Sequence, residues 1–230
     1  MAKGINNFII YRLMDRALEN SVKLYLKGRL IDIGCGTKPY QKMFEPYVTE
    51  HVGLDREQPF NSAARVDLVG TAYEIPAEDA TFDSAVSTAA LEHLAEPELA
   101  LKECYRVLKP GGYAIYTVPL IWHVHAAPWD FYRFTQYGLK HIFEKAGFEV
   151  EEIKALSGFW VTFGQMLVYY LYRFHRGPLR WIKVIPVLGI IIQWVVYGLD
   201  NLDKAEDWTW MYLIVAKKPG IPSFTNLDAL

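Results

Sequence analysis

Two segments of the 230-residue chain carry side chains whose types and spacing could do chemistry. The first is "LIDIGCGTKPY", Leu30 to Tyr40, in which an apolar run reaches Asp32 and opens into a turn holding Gly34, Cys35 and Gly36. Glycines in such a turn let the backbone approach a ligand closely. A triphosphate-binding loop needs GxxxxGK followed by Ser or Thr, and that spacing is absent. A dinucleotide fingerprint needs a third glycine; reading GxGxxG from Gly34 puts Pro39 there, which disfavours NAD. Asp55, with Arg56 beside it, closes the next apolar run, where an acid commonly holds ribose hydroxyls. Asp32, a carboxylate expected to be buried, needs a cationic or donating partner. A ligand with an ammonium group and a ribose but no pyrophosphate would answer both acids. The plainer alternative is a tight strand-to-helix turn with a solvated Asp55.

The second segment, "PLIWHVHAAPWDFYRFTQYG", is too long and too rich in His, Trp, Tyr, Asp and Arg for a mere connector. His123 or His125 could act as a base near neutral pH. Asp130 and Arg133 read first as an ion pair that organises the loop, and second as groups that orient a polar acceptor. His93, in "LEHL", is a third basic candidate, set against a histidine that only caps the next helix. Cys35 and Cys104 show no CxxC or Cys/His spacing, so neither a disulfide framework nor a metal site is expected, and a reducing cytosolic compartment fits.

Alternating elements must position these groups. Short β-rich runs at Leu30–Ile33, His51–Leu54, Arg65–Val69, Phe82–Val86 and Tyr113–Val118 alternate with helical ones, which predicts a parallel sheet with crossover helices. Ser87 and Thr88 would then end the fourth strand at the carboxyl edge, where ligands of open α/β sheets bind. Pro97 suits a first helical position, and that helix should stop at Lys109-Pro110-Gly111-Gly112. A helix from Gln136 to Ala146, with Thr135 as its cap, leads to a strand in "FEVEEIKAL", and "WTWMYLIVAKK" supplies a last strand. Ahead of the sheet, residues 1–28 predict a helix with Ile9, Ile10, Leu13, Met14, Ala17 and Leu18 along one face.

Taken in order, "LIDIGCGT", "VGLD", "IPAEDATFDSAVSTAALEHL" and "ECYRVLKPGGYAIYTVP" make the chain resemble the class I S-adenosylmethionine-dependent methyltransferases, in the branch acting on small molecules and lipids. The resemblance covers roughly Gly28 to Ile153. It implies a Rossmann-like, doubly wound sheet of seven strands with the last antiparallel, and S-adenosylmethionine as cofactor. It also implies Gly34, Cys35 and Gly36 beside the methionine and ribose parts, Asp32 near the amino group and Asp55 on the ribose hydroxyls. Where relatives often have an acid near the adenine, this chain reads Gly70-Thr71-Ala72, so Thr71 and Ala72 would be weaker partners there.

The whole chain, at 52% hydrophobic and 22% charged residues, allows one main domain, expected over residues 29–157 and 208–218. A net charge of −2 leaves no basic field for nucleic acid. Residues 158–207 form an apolar helical insertion before the last strand, and 219–230 a loose tail. From Ile153 to Leu199 there is no Asp or Glu, while Lys154, Arg173, Arg176, Arg180 and Lys183 are present. Apolar helices around a basic hinge suit peripheral contact with the inner face of a membrane, with a homodimer interface or a lid over the acceptor as alternatives. A transmembrane span is disfavoured, because the last strand must return to the same sheet. The expected activity is methylation of a hydrophobic small molecule or lipid-linked acceptor. A non-catalytic S-adenosylmethionine-binding module and, less favoured, an NAD-dependent oxidoreductase are the alternatives.

Overall fold

The computed structural model describes residues 5–56, 66–178, 183–203 and 205–220. Its strands are β1 (Arg29–Ile33), β2 (Glu50–Asp55), β3 (Leu68–Val69), β4 (Phe82–Thr88), β5 (Leu108–Pro119), β6 (Glu149–Ala155) and β7 (Met211–Lys217). They form one sheet in the order β3-β2-β1-β4-β5-β7-β6. The first five pair in parallel, and β7 lies antiparallel between β5 and β6. The expected doubly wound sheet with an antiparallel last strand is the one the chain adopts.

Successive side chains on a strand point to opposite faces, so a sheet covered on both sides needs apolar residues at nearly every position. That is the pattern here. Ile31 and Ile33 join one buried cluster and Leu30 the other, while in β7 Tyr212, Ile214 and Ala216 go one way and Met211, Leu213 and Val215 the opposite way. Helices α3 (Pro97–Val107) and α4 (Gln136–Lys145) cover the first face with Leu101, Cys104, Leu139 and Phe143. Pro97 sits in the first turn of α3, and the Thr135 side chain caps α4 by accepting from the Gly138 amide at 3.1 Å. The second face is covered by α1 (Phe8–Tyr25), the short α2 (Gln41–Phe44), and parts of α5 (Phe159–Tyr172) and α6 (Val184–Asp200).

Two details differ from expectation. The third strand is only Leu68–Val69; Arg65 lies outside the described residues. Lys109-Pro110-Gly111-Gly112 does not separate helix from strand. It is a bulge inside β5, where Leu108 pairs with Phe82 and Tyr113 already pairs with Ser84, and Gly111 takes a φ of +77°. The tail from residue 221 and Arg180 in the hinge also fall outside the described residues.

The apolar insertion is an antiparallel helical hairpin built onto the core. Gly164 of α5 faces Val196 of α6 so closely that an added Cβ would stand 2.6 Å from a Val196 methyl. The hairpin also completes two helix starts. Gln193 Oε1 accepts from the Ile9 amide at 3.1 Å, and Gln165 Nε2 donates to the Asn6 carbonyl at 2.8 Å, so the beginning of α1 is tied to both hairpin helices. At the start of α5, Gly158 has no side chain to cap with, and Asp200 from the end of α6 accepts from the Gly158 and Val161 amides at 2.8 and 3.1 Å. Asp200→Ala should therefore cost about 1–2 kcal/mol, the range of lost helix caps, read as a lowered urea midpoint. An unchanged midpoint would show that the hairpin does not depend on this contact.

Candidate active site

The site is assembled where β1, β2 and β4 end. Beyond β1, the Gly34 and Cys35 amides both donate to the Leu54 carbonyl, at 2.9 and 3.1 Å, and the Gly36 amide donates to Asp55 Oδ2 at 2.9 Å. The other carboxylate oxygen of Asp55 accepts from the Arg56 amide at 2.8 Å. The loop is thus held against the end of β2 by backbone groups. Gly34 and Gly36 have φ of +75° and +50°; a Cβ on Gly34 would stand 2.8 Å from Ala90, while one on Gly36 would meet nothing within 4 Å. Open space over a left-handed glycine, bordered by a carboxylate, is a cradle for a ligand with hydroxyl groups.

The other residues expected at the donor have varied surroundings. Asp32 is buried, and its Oδ2 lies 3.0 Å from His51 Nε2; burial pushes the carboxyl up and His51 pulls it partly back. Its cost of burial is met by a protein side chain. Lys38, buried with a φ of +51°, donates to the His51 carbonyl at 2.8 Å and to Asp67, bracing the loop from below. Burial pushes the Cys35 thiol up to about 12, so it is no thiolate nucleophile at neutral pH. Ser87 is turned away from ligand duty: its buried hydroxyl donates to the Ile33 carbonyl at 2.9 Å, tying β4 to β1. Thr71 Oγ1 accepts from the Glu74 amide at 3.2 Å, and Ala72 packs against the core. Thr88 lines a cavity of about 300 Å³ next to the loop.

That cavity reaches from Pro39 and Tyr40 to a roof made by α1 and α5, with Ile10, Tyr11, Met14 and Tyr169, and a side formed by Trp122, Trp210 and Met211. It is mostly apolar, and its polar side chains include Glu92, His123 and His125. Both loop histidines face it, whereas the sequence suggested that one would. Burial lowers both imidazole pKa values, which favours the uncharged form of each ring. Asp130 and Arg133 form the loop's ion pair, with Nη1–Oδ1 at 2.7 Å and Nη2–Oδ2 at 2.8 Å. Asp130 also accepts from the His125 amide at 2.9 Å, and Arg133 donates to the His123 carbonyl at 3.0 Å, so the pair shapes the segment carrying both histidines. His93 is held by the Trp129 carbonyl 2.7 Å from Nδ1, and Arg56 lies 5.3 Å over the Trp129 ring, linking donor loop to histidine loop.

Glu92 is the residue that sequence reasoning missed. It is 1% exposed, and burial raises its carboxyl to about 7. The available signal was an acid inside the apolar run "AALEHL", which a surface turn would not require.

A family model described as a methyltransferase domain matches residues 31–116. Residues 31–116 therefore carry a methyltransferase domain, and the comparisons support a class I S-adenosylmethionine-dependent methyltransferase. Among curated relatives, demethylmenaquinone methyltransferase of Staphylococcus carnosus is 24% identical over 67% of this chain and 83% of its own length. A 2-methyl-6-phytyl-1,4-hydroquinone methyltransferase of Oryza sativa subsp. japonica is 32% identical over 64% of this chain and 49% of its own. The chain spans about half the length of several curated relatives it matches. A solved structure titled as the [4+2]-cyclase SpnF shares the fold at a TM-score of 0.59, with 22% identity over 89% of this chain and 81% of that one.

The family's cofactor, S-adenosylmethionine, supplies a methyl group already activated on a sulfonium. The Gly34–Gly36 cradle and Asp55 fit it: the open space over Gly36 admits the ligand, and Asp55 keeps acceptor capacity for ribose hydroxyls. Replacing Asp55 by Ala should weaken binding of S-adenosylhomocysteine by the ~1.5–3 kcal/mol of hydrogen bonds to a charged group, roughly ten- to a hundredfold by calorimetry. An affinity within twofold of wild type would remove Asp55 from the donor site. The Arg133 guanidinium holds the Asp130 carboxyl well below the usual range, so its stabilisation is present above the unfolded value near 4 and lost as pH falls through and below it. In urea melts, Asp130→Asn should be destabilised at pH 7, with the gap from wild type narrowing towards pH 3; a gap that widens on acidification would refute this.

Proposed function

We propose that the protein methylates a hydrophobic acceptor carrying a polar head, a small molecule or lipid-linked intermediate presented at the cytosolic face of a membrane. The observation that carries this reading is the largely apolar cavity running from the donor loop to a roof of α1 and α5, with Glu92, His123 and His125 on its wall. An acceptor with an apolar body fills such a cavity by burial, and its nucleophilic atom is oriented by the few polar groups. Because the methyl is activated before binding, the protein's own task is alignment and exclusion of water, which enclosure by Trp122, Trp210 and Tyr169 serves. The rice relative named for a phytyl hydroquinone supports an acceptor of this chemical type.

The outer face of the hairpin supports the membrane part. Phe163, Tyr170, Ile191, Trp194 and Val195 are all at least half exposed, and exposed Arg173, Arg176 and Lys183 sit around the turn between the helices. Apolar area for acyl chains and bases for anionic headgroups are the two requirements of an interfacial helix pair. Among the described residues no helix is long and apolar enough to cross a membrane. Because Val161 and Val196 belong to the core, the hairpin is tested by point substitution and not by deletion.

Two measurements test the proposal. Transfer of radiolabel from the methyl donor should go into a lipid extract and not into a soluble extract; label confined to soluble material would overturn the acceptor assignment. The full chain should float with vesicles containing phosphatidylglycerol, and a Phe163→Glu, Ile191→Glu double substitution should abolish flotation while leaving S-adenosylhomocysteine affinity unchanged. Wild-type protein that stays in the soluble fraction, or that sediments as a dimer through this face, would contradict the membrane reading.

A further inference from the structure

We propose that Glu92, His93 and His125 bind a divalent transition-metal ion at the wall of the acceptor cavity. One carboxylate oxygen and one imidazole nitrogen from each histidine all lie within 4.8 Å of one another. The His93 and His125 rings meet edge to face at 4.8 Å, and His93 Nε2 is 3.8 Å from Glu92 Oε1. No sequence spacing announces this set, because Glu92 and His93 follow β4 while His125 comes from the loop after β5.

Three features favour an ion over a fortuitous cluster. Glu92 is buried and, among the described residues, its Oε2 has no hydrogen-bond partner, which leaves a ligand oxygen open beside the two imidazoles. Arg133, the adjacent base, is already committed to Asp130 and to the carbonyls of His123, Tyr132 and Trp122. The hydrogen-bond network also assigns the tautomer of His93. His93 Nδ1 faces the Trp129 carbonyl at 2.7 Å, so it carries the proton and Nε2 keeps its lone pair. His125 Nδ1 lies 3.2 Å from the His123 carbonyl, 3.5 Å from Asp130 Oδ2 and 3.4 Å from Arg133 Nη2; an ion on Nε2 requires the proton on Nδ1, facing the two oxygens, in place of the contact from Arg133. An N–H held by a carbonyl or carboxylate behind each ligating nitrogen is how proteins orient metal-binding histidines.

Two imidazoles and a carboxylate suit zinc, manganese, iron or cobalt better than calcium or magnesium. Bound at ~2.1 Å each, the three donor atoms would close to ~3–3.5 Å from one another. The two histidine side chains, about a quarter exposed, are the ones that can turn inward. Three protein ligands would leave the ion room for a further one, and beside the cavity it would polarise a hydroxyl on the acceptor, whose proton would pass to the His123 imidazole on the same wall. This last role rests on the proposed methyl transfer; the binding of the ion does not.

The test uses chelator-treated full-length protein titrated with zinc or cobalt alone, without donor or acceptor. One equivalent should bind by calorimetry, and cobalt should give visible absorption bands of a four- or five-coordinate site. Glu92→Gln and His125→Ala should each weaken binding at least tenfold, while His175→Ala, remote in the hairpin turn, should not. S-adenosylhomocysteine affinity of each variant, measured in parallel, reports that the fold is intact. Absence of stoichiometric binding, or binding that Glu92→Gln and His125→Ala leave unchanged in folded protein, would overturn the site even if methyl transfer stands.

Discussion

The hydrogen bond from the Gly36 amide to Asp55 is the constraint on which the functional half of the molecule depends. It joins the turn after β1 to the end of β2 through a side chain that also contacts its own next amide, so the loop cannot shift without disturbing two strands. The left-handed glycines are what make that bond geometrically available, since a side chain at Gly34 would run into Ala90. Lys38 braces the same turn from beneath through His51 and Asp67. The loop is therefore preorganised before any ligand arrives, which is how a binding site avoids spending affinity on ordering itself.

The second constraint acts from the other side of the cavity. The first amides of α1 and α5 need partners that their own helices cannot supply, and both find them in the hairpin, Gln193 for α1 and Asp200 for α5, while Gln165 donates to the Asn6 carbonyl just ahead of α1. The N-terminal helix and the apolar hairpin are thereby one structural unit roofing the acceptor space. Its inner side is core, and its outer side remains apolar and exposed. A family fold shared with a [4+2]-cyclase shows why the acceptor chemistry has to be read from this roof and cavity and not from the sheet.

Most of the sheet was legible in the sequence because its strands are buried on both faces and end in turn-forming residues. The glycine turn and the parallel alternation follow from local patterns of that kind, whereas the antiparallel direction of the last strand was implied by the family resemblance. The residues that resisted reading did so for one physical reason, that their partners are far away along the chain. Ser87 looks like a ligand group at a strand end, yet the Ile33 carbonyl takes its hydroxyl. Asp32 looks like a site for a ligand's amino group, yet His51 from the next strand meets it inside the protein. Gln193 looks like an interruption in an apolar run, and is the clasp to Ile9. Glu92 reads as one polar residue in a short turn until the fold brings His125 to it. Burial and charge are set by tertiary neighbours, and no local pattern encodes them.

For methyl transfer at this site, one ligand has to bridge the glycine turn and the aromatic cavity. A crystal structure of the protein grown with S-adenosylhomocysteine tests this most directly. The ribose hydroxyls should lie within hydrogen-bond distance of Asp55, with the sulfur facing the space between Thr88 and Trp122. A ligand bound elsewhere, or one whose sulfur points away from that cavity, would contradict it.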